Sequence, residues 1–159
     1  MPYPDLVIRQ ADARDVSALA PLFDLYRRFY GKQSDVALAE QFLRDRVRNG
    51  DSTILIAEST TAGTDPLGFV QVYPTLSSLQ CKQAWVLNDL FVASEARGSG
   101  VAKALMEAAT EAARRAGVST ISLSTAHDNV AAQALYTKLG YVLDEEFRTY
   151  SLTVSAAET

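Results

Sequence analysis

At 159 residues, with 48% apolar and 21% charged residues, the chain has the size and composition of one ordinary globular domain with a proper core. Its single cysteine, Cys81, and single histidine, His127, exclude an internal disulfide framework and any metal site built from several Cys or His ligands. A net charge of −4 argues against nucleic acid as the main partner and suits a cationic or amine-bearing one.

The start, Met1-Pro2-Tyr3-Pro4-Asp5, lacks the basic-then-apolar design of a signal peptide. No apolar run approaches the about 20 residues of a membrane span, so a cytoplasmic protein without a membrane partner is expected. Leu6-Val7-Ile8-Arg9 reads as a short strand. Asp15 is a candidate N-cap for a helix whose apolar face carries Val16, Leu19, Leu22, Phe23, Tyr26 and Phe29 or Tyr30, ended by Gly31. Ser34 or Asp35 opens a second helix with a Leu38, Phe42, Val47 stripe, followed by the turn Asn49-Gly50-Asp51. Thr53 to Glu58 and Leu67 to Tyr73 then form a β-hairpin around a polar turn, and Pro74 to Lys82 reads as an irregular connection.

Trp85 to Val92 is a strand dense in large apolar residues, and Val101 to Arg115 is a helix with Val101, Leu105, Ala108, Ala109 and Ala112 at helical spacing. Gly117 suits its end. Thr120 to Thr125 is a strand, Asn129 to Leu139 a short helix with Ala132, Leu135 and Leu139 on one face, stopped by Gly140. Tyr141-Val142-Leu143 and Phe147 to Val154 close the chain as strands, with 155–159 as a frayed tail. The order β-α-α-β-β-β-α-β-α-β-β implies an α/β (α+β) fold, a mixed sheet flanked by helices in a single domain.

Between the strand ending at Val92 and the helix starting at Val101 lies Arg97-Gly98-Ser99-Gly100. Small residues there let backbone amides approach an anion, and the helix start adds several N–H groups and the positive end of its dipole. No G-x-x-x-x-G-K-[ST] string is present, so a P-loop is excluded. A Rossmann fingerprint belongs to the first βαβ unit with a third glycine; here the loop lies past mid-chain and position 103 is Lys.

Arg97-Gly98-Ser99-Gly100-Val101-Ala102 does fit [R/Q]-x-x-G-x-[G/A], and with Asp89-Leu90-Phe91-Val92 before it and Leu105-Met106 after it resembles the acetyl-CoA pyrophosphate loop of the GNAT N-acetyltransferase superfamily. Asn129-Val130-Ala131-Ala132-Gln133-Ala134-Leu135-Tyr136-Thr137-Lys138-Leu139-Gly140-Tyr141 is similar to that superfamily's N-x-x-A-x-x-L-Y-x-K-x-G-[F/Y] segment. The resemblance runs from Val7 to Leu152. Within the superfamily, Asn88-Asp89-Leu90-Phe91-Val92 and Phe147 to Leu152 look most like the histone/polyamine-type subgroup.

The resemblance implies acetyl-CoA as cosubstrate, no metal, and a central sheet that splays after the strand at Leu90, Phe91 and Val92. Amides of Arg97, Gly98, Ser99, Gly100, Val101 and Ala102 would hold the pyrophosphate, with Arg97 adding charge. Backbone groups of Phe91 and Val92 would pair with the pantetheine arm, and a free amide near Phe91 would polarise the thioester carbonyl. Tyr136 is implied as the general acid for the leaving thiolate, with packing on the pantetheine arm as its other reading. Asn129 either bonds the pantetheine chain or caps its own helix.

The attacking amine must lose a proton. Asp89 is the first candidate for the base, with Asn88 orienting it; a hydrogen-bonded structural carboxylate is the alternative. Only one of two successive strand residues faces the cleft unless a bulge intervenes. Asp128, Glu145 and Glu146 are further acids for the cleft rim; His127 follows the 120–125 strand and reads as an ordinary loop residue, with a base or acid as its other reading. Tyr26, Phe29 and Tyr30 are candidates to hold a cation by their ring faces, or else belong to the core. Trp85 and Cys81 read as packing or interface residues.

The expected acceptor is a primary amine of a small molecule or polyamine, attacking directly in a ternary complex. A peptide or protein amine, or a non-catalytic acyl-CoA sensor, are the alternatives. Homodimers are common in this superfamily, with the last strand a frequent pairing element.

Overall fold

A computed structural model describes residues 3–155, which divide into two units, Met1–Ser124 and Thr125–Thr159. In the first, a five-stranded mixed sheet runs in chain order: β1 (Leu6–Gln10), β2 (Thr53–Ser59), β3 (Gly68–Ser77), β4 (Lys82–Val92) and β5 (Ile121–Ser122). The first four are antiparallel neighbours, and β5 lies parallel to β4 through Trp85↔Ile121 and Val86↔Ser122. α1 (Val16–Phe29) and α2 (Val36–Asn49) pack on each other, and α3 (Val101–Arg115) packs on β2, β3 and β4.

Two apolar layers sandwich the sheet. Val16, Leu19, Ala20, Leu22 and Phe23 of α1, with Ala39 and Leu43 of α2, meet Ile54, Ile56 and Phe69 of the strands. The α3 stripe Val101, Leu105, Met106, Ala109 and Ala113 is buried as well. Alternate strand residues feed opposite layers, which is why β2 and β3 read as continuous apolar runs. Gly68 is needed where β3 approaches β4 and α3. A Cβ there would sit 2.9 Å from the Phe91 carbonyl oxygen and 3.2 Å from a Leu105 methyl.

The expected elements differ from the observed ones in several places, and the strand expected over Thr120 to Thr125 is only Ile121–Ser122. The segment 74–82 is not an irregular connection: β3 runs on to Ser77, β4 starts at Lys82, and Pro74 is paired with Trp85. Proline is tolerated there because β2 stops pairing at Thr53↔Val72, so Pro74 lies past the end of its neighbour on that side. Asp15 does not cap α1 with its side chain; its carboxylate instead accepts from Arg9 at 2.7 Å and 2.9 Å and from the Asp12 amide. On α2, the buried residues are Ala39 and Leu43 rather than Leu38, which is exposed. Asp35 does cap that helix, accepting from Leu38 N at 2.9 Å.

The second unit carries α4 (Val130–Lys138), capped by Asn129, whose Oδ1 accepts from Ala132 N. The strands expected at 141–143 and 147–154 are not formed: 139–155 has no regular secondary structure after the helix, and Val142, Leu143, Phe147, Tyr150, Leu152 and Val154 are exposed. A strand exists by pairing, and alternation alone supplies no partner. The expected tail at 155–159 lies outside the described residues from 156 onward.

Candidate active site

The organising irregularity is in β4. Gln71 pairs with Asp89 but the next residue, Val72, pairs with Leu87, so Asn88 is an extra residue on β4, a β-bulge. The bulge shifts the alternation, so Leu87 shares a face with Val72 while Asp89 shares one with Gln71, the opposite face. That is the α1–α2 face, because Phe69 and Ile54 flank Gln71 on it.

Asp89 is buried, 4% exposed, and each carboxylate oxygen accepts from a side-chain amide. Gln71 Nε2 donates to Oδ2 at 2.8 Å and Asn88 Nδ2 to Oδ1 at 3.0 Å. Ser52 Oγ donates to Gln71 Oε1 at 2.8 Å, extending the chain to the edge of β2. Asn88 is exposed, and this hydrogen bond to Asp89 is its contact with the carboxylate. Gln71 and Ser52 are members that the sequence reading missed. A glutamine in the centre of the apolar run Phe69-Val70-Gln71-Val72 is the signal, since a buried amide is retained only with partners.

α1 brings an aromatic wall to this carboxylate. Tyr26 lies 5.7 Å from Phe69 and 5.9 Å from Phe91, both edge-on, and its hydroxyl reaches the Asn88 carbonyl at 3.5 Å. Burial, the charge of Asp89 and hydrogen bonding to it push the Tyr26 phenol well above the usual tyrosine range. Burial and the same carboxylate push Tyr73 up to about 12. Both phenols therefore stay protonated and able to donate. Tyr30 meets Tyr26 at 5.2 Å, and Phe29 lies 6.2 Å from Phe91, both rings more than half exposed. Tyr26 is thus part core and part site, while Phe29 and Tyr30 are exposed rings.

Among the described residues β4 has no strand partner on its β5 side beyond Val86, so Leu87 to Val92 have no ladder there. Phe91 O points at Gly68 of β3, and Val92 O accepts from Arg97 Nε at 3.1 Å. Antiparallel alternation then turns the backbone of Leu90 and Val92 to the β5 side and that of Phe91 to β3. The free amide expected near Phe91 is therefore displaced to its neighbours, and the Val92 carbonyl already carries a donor. Arg97 is folded back, its guanidinium 5.2 Å from the Phe91 ring centroid, rather than reaching out from the loop.

The loop itself has the conformation its glycines permit: Gly98 at φ 75° and Gly100 at φ 84°, the latter as N-cap of α3. A Cβ on Gly98 would meet nothing within 4 Å, so that glycine serves the backbone angle and not a close neighbour. Ser99 is buried and its hydroxyl donates to the Ala96 carbonyl, pinning the turn from inside. The first-turn amides of Val101, Ala102 and Lys103 have no acceptor within the helix and point out of its start. Strand edge and helix start together fit the elongated, anion-tipped group that the sequence implies.

In the second unit, Tyr136 is half-buried on α4, with its ring 6.0 Å from that of Tyr141. Gln133 donates to the carbonyls of Ala126 and His127, tying the preceding turn to the helix. His127, Asp128, Glu145 and Glu146 are exposed. Trp85 packs, as read; Cys81 is an exposed free thiol and not a packing residue.

The family model described as Acetyltransferase (GNAT) family matches residues 19–141. The chain is 44% identical over 149 residues to the uncharacterized N-acetyltransferase YhfO of Bacillus subtilis, covering 94% of this chain and 98% of that one. It is 30% identical over 144 residues to the D-amino-acid N-acetyltransferase HPA3 of Saccharomyces cerevisiae, covering 88% and 87% of the two chains. A crystal structure of a probable acetyltransferase superposes with TM-score 0.88 at 40% identity, covering 94% of this chain and 99% of that one. Among the described residues no helix is long and apolar enough to cross a membrane. The chain belongs to the GNAT family and is an N-acetyltransferase.

Proposed function

We propose that the protein transfers the acetyl group of acetyl-CoA to the primary amine of a small cationic molecule, by direct attack within a ternary complex. The observation that carries this reading is the buried Asp89 carboxylate at the β4 bulge, faced by the aromatic wall of Tyr26, Tyr30, Phe29 and Phe91. Ring faces and a carboxylate attract an ammonium group, and the overall charge of −4 favours its approach. The family model spans both units and supports treating 1–159 as one acetyltransferase domain.

Bound acetyl-CoA supplies an activated acyl group as a thioester. The chain supplies the rest. Val101 and Ala102 amides, with those of Gly98, Ser99 and Gly100, bind the pyrophosphate. Leu90 and Val92 offer backbone groups along the β5 side of β4, and an amide there is positioned to polarise a carbonyl. Asp89 takes the amine proton, with Asn88 and Gln71 orienting it, and Tyr136 returns one to the departing thiolate. Asn129 caps α4 and thereby sets the helix that carries Tyr136.

A polyamine acceptor follows from the sequence resemblance to the histone/polyamine-type subgroup. A free amino acid is the second reading, favoured by the relative named as a D-amino-acid N-acetyltransferase. The free thiol of Cys81 fits a reducing, cytoplasmic setting. The test is an acceptor panel with acetyl-CoA, reading thiol release and product mass across polyamines, D- and L-amino acids, aminoglycosides and lysine peptides. Turnover is expected on small amines with intersecting initial-rate lines. Acetyl-CoA binding without turnover on any amine would replace this reading with that of a sensor, and parallel lines would replace direct attack with a covalent acyl-enzyme.

A further inference from the structure

We propose that Gln71, with its amide fixed by Ser52, is a positioning residue that holds the Asp89 carboxylate in one orientation at the β4 bulge. The inference rests on Asp89 as the proton acceptor. Gln71 is fully buried in an internal strand, where an unbonded primary amide would cost about 1–3 kcal/mol by mutational measure. Both ends of the amide are used. Oε1 accepts from Ser52 Oγ at 2.8 Å and Nε2 donates to Asp89 Oδ2 at 2.8 Å.

The polarity of this chain is forced. A carboxylate can only accept, so the NH2 end of Gln71 must face Asp89 and the oxygen must face Ser52. Rotating the amide by half a turn would set its oxygen against the carboxylate and leave the Ser52 hydroxyl without its acceptor. The carboxylate thus sets the amide orientation, and Ser52, near the start of β2 and well outside the carboxylate's own contacts, holds the oxygen end in place. Asn88 Nδ2 on Oδ1 is the second fixed donor, so the plane of the carboxylate is set from two directions. The bulge is what permits this, because it puts Asp89 and Gln71 side by side on the face that α1 covers. The titratable groups facing the carboxylate are the phenols of Tyr26 from α1 and Tyr73 from β3; Arg46 of α2 and Asp51 before β2 act on Tyr73 in turn.

The experiment is the pH dependence of kcat and kcat/KM for Gln71→Glu, Gln71→Leu, Ser52→Ala, Ser52→Thr and Asp89→Asn, with acetyl-CoA and the best acceptor of the panel. Gln71→Glu puts two carboxyl groups in hydrogen-bond contact, and its acidic limb is expected to move up by about one pH unit or more. Gln71→Leu is expected to lower kcat about tenfold, and Ser52→Ala several-fold, with acceptor KM within about twofold of the wild type. Ser52→Thr, which keeps the hydroxyl, restores the wild-type profile. Ser52 lies at the half-exposed rim, so its variants report even if a Gln71 variant fails to fold. If Asp89→Asn keeps the wild-type acidic limb, the reading of Asp89 as base falls, and this inference with it. If Asp89→Asn abolishes the limb while the Gln71 and Ser52 variants lower only the melting temperature and leave the limb in place, the positioning role alone is overturned.

Discussion

In the proposed mechanism Tyr136 and Asp89 divide the proton work at the scale of single residues, and each asks something different of its surroundings. A phenol can give its proton to the thiolate only once the thioester has begun to break, so it acts late. Tyr136→Phe is therefore expected to lower kcat tenfold or more while leaving the acetyl-CoA dissociation constant, measured by calorimetry, within about twofold. Unchanged turnover would remove Tyr136 as the acid and leave it a packing residue. Asp89 acts early and must be held. Its candidacy was legible from Asn88-Asp89 on a predicted strand, and so was the question of which of the pair faces inward. The answer was not, because it depends on a bulge seen only in how β3 and β4 pair. Gln71 was invisible for the same reason: its partner lies 18 residues away in the chain.

At the scale of elements, the site is kept in place by two local devices that make opposite demands on the chain. The first is absence of a side chain: Gly68 lets β3 lie against the Phe91 carbonyl and under Leu105. Because the 2.9 Å contact is with backbone, the neighbour cannot yield by changing rotamer. Gly68→Ala is expected to destabilise by about 1–3 kcal/mol in urea unfolding and to lower turnover through the displaced β4 edge. Wild-type stability in that variant would mean that the strands part without cost. The second device is a buried charge. Asp24 of α1 is 3% exposed and accepts from Ser34 Oγ at 2.7 Å and Asp35 N at 2.7 Å, tying the connection after Gly31 to the helix that bears Tyr26. Burial pushes its carboxyl up, but the Ser34 and Asp35 donors, with Arg27 and Arg28 nearby, outweigh that and hold it below the ordinary carboxylate range. A carboxyl lowered on folding contributes stability above its unfolded pKa of about 3.9, and loses it as pH falls through the folded value. Asp24→Asn is expected to cost about 2 kcal/mol at neutral pH and to show a shallower fall in melting temperature between pH 5 and pH 3 than the wild type. Equal slopes would dismiss the linkage. The capping of α2 by Asp35 and of α4 by Asn129 was legible because a cap acts within three residues. The run of β3 through Pro74 was not, since a proline breaks a strand only where a neighbour needs its amide.

At the scale of the molecule, the glycine loop and the Asn129–Tyr141 segment announced the family, and the sheet order followed from it up to β5. What failed was the close of the chain. Tyr141 to Leu143 and Phe147 to Val154 carry the alternation of strands, yet are not assigned as strand, and 142–154 exposes six large apolar side chains. Periodicity states which face a strand would bury, and pairing depends on an edge that a single chain need not supply. An exposed apolar segment of this length suits burial against another chain, and the homodimer expected from the family resemblance would give it one. Each copy would then offer the same segment to the other about a two-fold axis. Sedimentation equilibrium is expected to report twice the 17.3 kDa of one chain at micromolar concentration. Tyr150→Lys combined with Leu152→Lys, two charges on one face of such a strand, should shift the protein to monomer while the helical circular dichroism signal is kept. A wild-type protein that sediments as a monomer throughout, or a double variant that stays dimeric, would place the apolar segment outside any self-association. If the double variant is monomeric and also loses acetyl-CoA turnover, pairing of the last segment completes the enzyme; full turnover in the monomer would confine the segment's role to assembly.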